Sequence, residues 1–204
     1  MGSSDGKGDS IFMSPEQMKE LENKLIKLGE KELRPLVDAF DLVRQLDDHV
    51  GNKLVRSGAR RFAALGSSEA NDLYYKTHLF DASTEFDSYM IYMEKNRDIK
   101  KQFYVPRRKQ LLPLVRSMQY LSDRKLKLLA ASLPPGTGKS TVALFYITFE
   151  AGKHPEKPIL TGSHANSFLH GAYEECLRLM DPQGDYLWHD ISQNIRSSAR
   201  MQKT

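Results

Sequence analysis

The sequence predicts an α/β protein in which a helical N-terminal region leads into a partial parallel sheet with flanking helices. A glycine-bearing run, residues 132–141, lies between apolar runs at 126–131 and 142–149, which is the order strand, loop, helix. A third apolar run, residues 158–162, predicts a second strand that lies parallel to the first through a right-handed crossover. These observations together favour the P-loop NTPase fold.

Composition and charge narrow the class of protein. The chain has 204 residues, of which 40% are hydrophobic and 27% charged, as in soluble proteins with a core. No apolar run approaches the roughly 18 residues of a membrane span, so we expect no membrane partner. The first ten residues lack the apolar stretch of a secretory signal. The single cysteine, Cys176, excludes an intramolecular disulfide, fits a reducing compartment and is expected to be a buried thiol.

We divide the chain into three regions: a disordered lead at 1–13, a helical region at 14–94 and an incomplete P-loop domain at 95–204. A capping box at Ser14 opens a helix that Gly29 ends. Further helices are predicted at 36–46 and over part of 53–65, while the pattern at 66–83 supports no assignment. Thr84 and Asp87 form another capping box, which opens a helix.

Elements after residue 94 surround the glycine-bearing run. Pro106 predicts an extended stretch at 103–108, followed by an amphipathic helix at 111–121. The helix after the glycines is expected to end at Gly152, and the last helix covers 167–180. His164 follows the second predicted strand, on the side of such a sheet where ligands bind. We expect it to cap or pack a helix rather than to contact a ligand.

Residues 95–127 are strongly basic, with eleven Lys and Arg against two acids and a local charge of about +9. Such a run is either a solvated face or a surface that contacts nucleic-acid phosphates. Lys100 and Lys101 are our candidate DNA-binding residues within it.

The glycine-bearing run has the chemistry of a phosphate-binding loop. Gly136 and Gly138 allow backbone N–H groups to turn inward around an anion, and the following helix points its N-terminus at the same place. Lys139 is the catalytic candidate, reaching the β- and γ-phosphates of ATP, and Ser140 is the Mg²⁺ ligand. The usual first glycine is replaced by Leu133, and the alternative is a helix N-cap with a chance Gly-Lys-Ser. The nucleotide-binding candidates in the loop are Pro135, Gly136, Thr137, Gly138, Lys139, Ser140 and Thr141.

A hydrolytic loop also needs an acid after an apolar strand to hold Mg²⁺, and a carboxylate that orients water. Downstream of Ser140, no run of four apolar residues ends in Asp or Glu. We therefore expect this chain alone to bind ATP weakly and to hydrolyse it barely, if at all.

Several motifs occur together in an informative order. Phe103-Tyr104-x-Pro106-Arg107-Arg108 lies about thirty residues before Pro134-Pro135-x-Thr137-Gly138-Lys139-Ser140-Thr141. Gly152-x-His154-Pro155-Glu156-Lys157-Pro158, Gly162-Ser163-His164 and Tyr173 come next along the chain. Over residues 85–200 this order resembles the large terminase subunit of tailed bacteriophages, in the lineage common in phages of Gram-positive hosts.

The resemblance implies ATP-driven translocation of double-stranded DNA into a capsid, with ATP and Mg²⁺ as cofactors. It implies Lys139 as the phosphate lysine, Ser140 as the Mg²⁺ ligand, and a segment around Tyr104, Arg107 and Gln110 near the adenine. It also implies the portal and the small terminase subunit as partners, a homo-oligomer at full length, and the bacterial host cytoplasm. Members often carry Arg where this chain has Gly136, and the family's acidic motif and nuclease domain are expected beyond residue 204.

Two other classes share the loop sequence. AAA+ ATPases and superfamily 1 helicases contain similar Pro-Pro-Gly-Thr-Gly-Lys-Ser runs, so a P-loop ATPase of either kind is the first alternative. The second is a nucleotide-dependent interaction module that acts through its helical N-terminal half. A longer reading frame separates the three classes. A nuclease domain after the loop domain indicates a terminase, a helical lid domain indicates an AAA+ ATPase, and a stop codon indicates an interaction module.

Overall fold

The computed structural model describes residues 16, 19–20, 33–97, 100, 102–163, 166–181 and 186–188. Within these residues it contains seven helices, joined by turns and irregular segments. They are α1 (Arg34–Leu46), α2 (His49–Ala64), α3 (Ser68–Asp81), α4 (Phe86–Met93), α5 (Tyr104–Ser122), α6 (Lys139–Lys153) and α7 (Asn166–Leu179).

The predicted α/β fold class is wrong for this structure, because no β-strand occurs among the described residues. Both expected strands, residues 126–131 and 158–162, are irregular segments. A buried parallel strand needs hydrogen-bonded neighbours and cover on both faces. Here the side chains of Leu128 and Leu160 are 82% and 98% exposed. An apolar run by itself supplies neither requirement, and the expected P-loop NTPase sheet does not occur in the part of the chain that the structure describes.

The chain divides into two compact units, Met1–Tyr74 and Tyr75–Thr204, with the division inside α3. The boundary expected at residue 94 falls within the second unit, because α4 packs against α5 and α6 there.

In the first unit, α1 and α2 form a helical hairpin. Asp48 caps α2 by accepting hydrogen bonds from the backbone N–H groups of Val50 (3.0 Å) and Gly51 (2.9 Å). The helices approach closely where Gly58 faces Leu36, since a Cβ at Gly58 would lie 2.9 Å from a Leu36 methyl carbon. Leu36, Phe40, Val43, Val55 and Ala59 form the buried side of the pair.

In the second unit, aromatic residues of α4 and α6 form the core. The ring centroid of Phe149 lies 5.3 Å from those of both Phe86 and Tyr89, distances typical of favourable aromatic pairs. The Tyr89 hydroxyl hydrogen-bonds the Thr148 hydroxyl at 2.8 Å, which satisfies two buried polar groups. Trp188 packs against this core near Gly152, and its ring centroid lies 5.8 Å from that of Tyr89.

Helix α5 begins at Tyr104, so the prediction of an extended stretch at 103–108 is wrong. The buried Glu94 carboxylate accepts hydrogen bonds from the backbone N–H groups of Phe103 (2.9 Å), Tyr104 (2.8 Å) and Val105 (3.2 Å). The next residue, Pro106, has no N–H to satisfy and suits the first turn of a helix. The cap and the proline together allow the helix to start early.

Most helices predicted from apolar spacing are confirmed, with different ends. Those expected at 36–46, 111–121 and 167–180 correspond to α1, α5 and α7. The Thr84–Asp87 capping box does not form: Glu85 is the N-cap of α4 without a side-chain bond, and the Thr84 hydroxyl donates to the Asp81 carbonyl. Gly152 lies inside α6. Three predictions lie outside the described residues: the lead expected to be disordered, the body of the Ser14–Gly29 helix, and the role of His164.

Candidate functional site

The loop that precedes α6 contains two glycines with left-handed backbone conformations. Gly136 has φ +78° and Gly138 has φ +93°, a region that residues with a Cβ rarely adopt. Between them, Thr137 closes a turn, and its hydroxyl donates to the Pro134 carbonyl at 2.9 Å. Gly138 is the N-cap of α6 and provides no side-chain hydrogen bond to it. Because a helix leaves its first N–H groups without intrahelical acceptors, this end of α6 suits an anion.

The two residues after the glycines present a cation and a hydroxyl at this helix end. Lys139 and Ser140 occupy the first turn of α6, and both are exposed. The Lys139 ammonium group donates to the Leu133 carbonyl at 3.2 Å, which folds the side chain back over the loop. The positive end of the helix dipole and the lysine charge therefore lie close together.

An aromatic ring from the start of α5 lies against the loop. A Cβ added to Gly138 would meet the Phe103 ring at 2.1 Å, so only glycine fits there beside the ring. The Arg107 guanidinium carbon lies 5.2 Å from the centroid of the Phe103 ring, and Arg107 also donates to the Phe103 carbonyl at 3.3 Å. Arg107 is therefore held against the same ring that lies beside Gly138.

A polar cluster between α4 and α5 holds the start of α5 in place. Arg108 donates two hydrogen bonds to the Asp87 carboxylate, at 2.9 and 2.7 Å, and the Tyr104 hydroxyl donates to the same carboxylate. Burial alone would raise the pKa of Asp87, but the hydrogen bonds and the Arg108 charge outweigh burial, so its pKa lies below the ordinary value. Burial is the main cause that raises the pKa of Tyr104, and the negative charge of Asp87 raises it further.

The predicted site residues outside the loop differ in their access to a ligand. Arg107 and Gln110 are exposed on α5. Tyr104 is fully buried, and its hydroxyl donates a hydrogen bond to Asp87. It therefore helps to fix the position of α5 beside the loop and is not exposed to a ligand. Lys100 is exposed, and Lys101 lies outside the described residues.

An apolar cavity of about 640 Å³ lies between α6, α7 and the segment before α7. Ser140 lines one part of it, and most of the remaining lining is aliphatic. Cys176 also lines the cavity and is half-buried, so the expectation of a buried thiol is not met. Burial is the main cause that raises the pKa of this thiol, and the negative charge of Glu175 adds to the effect. The thiol is therefore favoured in its neutral form.

The residues at the loop fit Mg²⁺ that arrives with a nucleotide. Mg²⁺ commonly takes one or two protein ligands and completes its shell with phosphate oxygens and water. Ser140 offers one exposed hydroxyl in the first turn of α6. Within the described part of the chain, no cluster of three or more His, Cys, Asp or Glu side chains forms a metal site of its own.

Sequence reasoning missed three residues that shape this site. Phe103 belongs to the quoted motif, yet only the structure shows its ring against Gly138. Asp87 has the spacing of a capping box, whereas it binds Arg108 from the next helix. Glu94 carries no local signal, because the N–H groups it accepts from begin nine residues later in the chain.

Comparisons with known proteins do not assign the chain to a family. No helix of the described residues combines the length and apolar character needed to cross a membrane. Searches against protein-family models, curated proteins and solved structures found no match to the chain.

Proposed function

We propose that the chain binds ATP with Mg²⁺ at residues 134–141, as the nucleotide-binding portion of a DNA-packaging motor. The observation that carries this proposal is the pair of positive-φ glycines, Gly136 and Gly138, which lead directly into the N-terminus of α6. A turn of this kind directs backbone donors and the helix dipole toward one point, where phosphate charge is stabilised.

Each exposed group at the helix end has a role in this proposal. Lys139 exchanges its hydrogen bond with the Leu133 carbonyl for the β- and γ-phosphate oxygens. Ser140 donates its hydroxyl oxygen to Mg²⁺, which when bound neutralises phosphate charge. Arg107, stacked on Phe103, and Gln110 supply contacts on the α5 side, where the nucleotide base or ribose lies.

The wider function rests on the motif order shared with large terminase subunits. In this proposal the chain serves ATP-driven translocation of double-stranded DNA, in the cytoplasm of a bacterial host. The portal and the small terminase subunit are its protein partners, and the full-length protein acts as a homo-oligomer. The basic segment at 95–127, including Lys100 and Lys101, contacts the DNA backbone in a sequence-independent manner.

Substitution of Lys139 tests the nucleotide site directly. We expect Lys139→Ala to weaken MgATP binding at least about tenfold, which corresponds to about 1.4 kcal/mol, because the phosphates lose a nearby cation. Isothermal titration calorimetry measures the affinity, and circular dichroism checks that the helices persist.

Lys127→Ala is the matched control, because Lys127 is an exposed lysine near the loop in sequence but outside it. The control should keep the affinity of the parent. Equal ATP affinity for Lys139→Ala and the parent would contradict the proposal.

A further inference from the structure

The outer face of α5 carries two cations that have no partner within the described part of the chain. This helix contains four Lys and Arg residues and no Asp or Glu. Two of the four, Arg107 and Arg108, contact other residues of the second unit. The other two, Lys109 and Arg116, are exposed, and neither forms an ion pair or a side-chain hydrogen bond with another described residue. Their charges are therefore available to a ligand.

These two cations lie in one line with an aromatic side chain. Lys109, Arg116 and Tyr120 are spaced i, i+7 and i+11, which keeps them on the same side of a helix. With a rise of 1.5 Å per residue, Arg116 lies along the axis about 10 Å from Lys109 and about 6 Å from Tyr120. The opposite side of α5 is buried, with Leu111 and Val115 only 2% and 1% exposed. The line therefore faces away from the core of the second unit.

The aromatic ring at the end of the line is open to a ligand. Tyr120 remains 50% exposed, although the Lys125 ammonium group lies 5.7 Å from its ring centroid. The acid that follows the helix, Asp123, accepts a hydrogen bond from Lys125 at 3.1 Å, so this pair adds no net charge. Arg124 and Lys127 are exposed, and neither forms an ion pair with the residues that the structure describes. Unpaired cations therefore come both before and after the ring.

We propose that Lys109, Arg116 and Tyr120 form a binding surface for single-stranded nucleic acid. The two cations contact backbone phosphates, and a base stacks on the Tyr120 ring. A single strand is favoured over a duplex because its bases are free to stack on an aromatic side chain, whereas duplex bases stack on one another. An acidic peptide would match the cations alone. The surface goes beyond the duplex contact proposed for residues 95–127, and it does not depend on the nucleotide loop.

The test is fluorescence anisotropy of the whole chain with a labelled oligothymidylate of about 20 nucleotides at several salt concentrations. Tyr120→Ala should weaken binding at least about fivefold, because the stacked base is lost. Tyr120→Phe keeps the ring and should bind as the parent does. Lys109→Gln/Arg116→Gln should lower the slope of log affinity against log salt by about 0.7 for each phosphate contact that is lost.

Matched controls come from the same unit. Tyr173→Ala removes a tyrosine that is 58% exposed on α7. Lys76→Gln/Arg178→Gln removes one lysine and one arginine from exposed positions of α3 and α7. Both controls should bind the oligothymidylate about as tightly as the parent, and circular dichroism checks that every variant keeps its helices. An oligouridylate of the same length distinguishes RNA from DNA, and tight binding of either supports the single-strand surface.

Four outcomes overturn the inference. They are no binding of either single strand by the parent, equally tight binding of a duplex or of polyglutamate, an unchanged affinity of Tyr120→Ala, and an equal loss in the control variants. Lys100→Gln/Lys101→Gln, measured with a duplex, tests the DNA contact of the proposed function separately. Calorimetry with MgATP tests the nucleotide loop without nucleic acid. A failure on α5 is therefore distinguishable from a failure of either part of the proposed function.

Discussion

Asp87 shows how a single residue holds the approach to the candidate site. Its carboxylate accepts two hydrogen bonds from Arg108 and one from Tyr104, which ties α4 to the first turns of α5. Charge-assisted bonds of this bidentate kind are stronger than neutral ones. The local sequence suggested a helix cap instead, because Thr84 and Asp87 have capping-box spacing, while Arg108 lies twenty-one residues away.

Asp87→Asn should destabilise the second unit by about 1.5–3 kcal/mol at pH 7, since hydrogen bonds to charged groups contribute about that much. The folded-state pKa of Asp87 is lowered, so its contribution is present above the ordinary Asp value and is lost as pH falls through the folded pKa. The difference between parent and variant should therefore shrink below about pH 4.

Urea unfolding followed by Trp188 fluorescence measures this difference at each pH. Glu174→Gln, at an exposed position on α7 in the same unit, is the control and should change the free energy of unfolding by less than about 1 kcal/mol. A difference between parent and Asp87→Asn that is as large at pH 2.5 as at pH 7 would count against the role of the carboxylate charge.

At the scale of the element, the start of α5 depends on a carboxylate from outside the helix. Glu94 satisfies the N–H groups of Phe103, Tyr104 and Val105, and Pro106 follows without a donor. Apolar periodicity predicted the body of α5 but could not predict its first turn, because the residue that caps it is distant in sequence. The same start places Phe103 against Gly138.

Glu94→Ala should destabilise the second unit by about 2–3 kcal/mol, because it leaves buried backbone donors without an acceptor. Glu94→Gln keeps one acceptor oxygen and should cost less. Glu69→Ala, at an exposed position in the first turn of α3, should change the free energy of unfolding by less than about 0.5 kcal/mol. Chemical denaturation checks these values, and equal stability of Glu94→Ala and Glu69→Ala would refute the capping role.

The strands were the element type that the sequence could not predict. Residues 126–131 and 158–162 have the apolar character of strands, but in this structure no neighbouring strand pairs with them within the described residues. Helix hydrogen bonds are local, so α1, α5 and α7 follow from their own residues. A strand depends on a second segment, and an apolar run cannot specify one. The turn before α6 depends on local conformation, and both of its glycines have positive φ angles that residues with a Cβ rarely adopt.

At the scale of the whole molecule, the division into two units gives the chain a built-in spectroscopic probe. The only tryptophan, Trp188, belongs to the second unit, where it packs near Gly152 and beside Tyr89. Tryptophan fluorescence therefore reports the unit that contains the candidate nucleotide loop. Far-UV circular dichroism reports the helices of both units.

Saturating MgATP should raise the thermal midpoint seen by Trp188 fluorescence, because a ligand at about 100 times its Kd adds about 2.7 kcal/mol to the stability of the state that binds it. Lys139→Ala should abolish the fluorescence shift. If MgATP does not shift the fluorescence midpoint of the parent protein, the result argues against nucleotide binding at this loop.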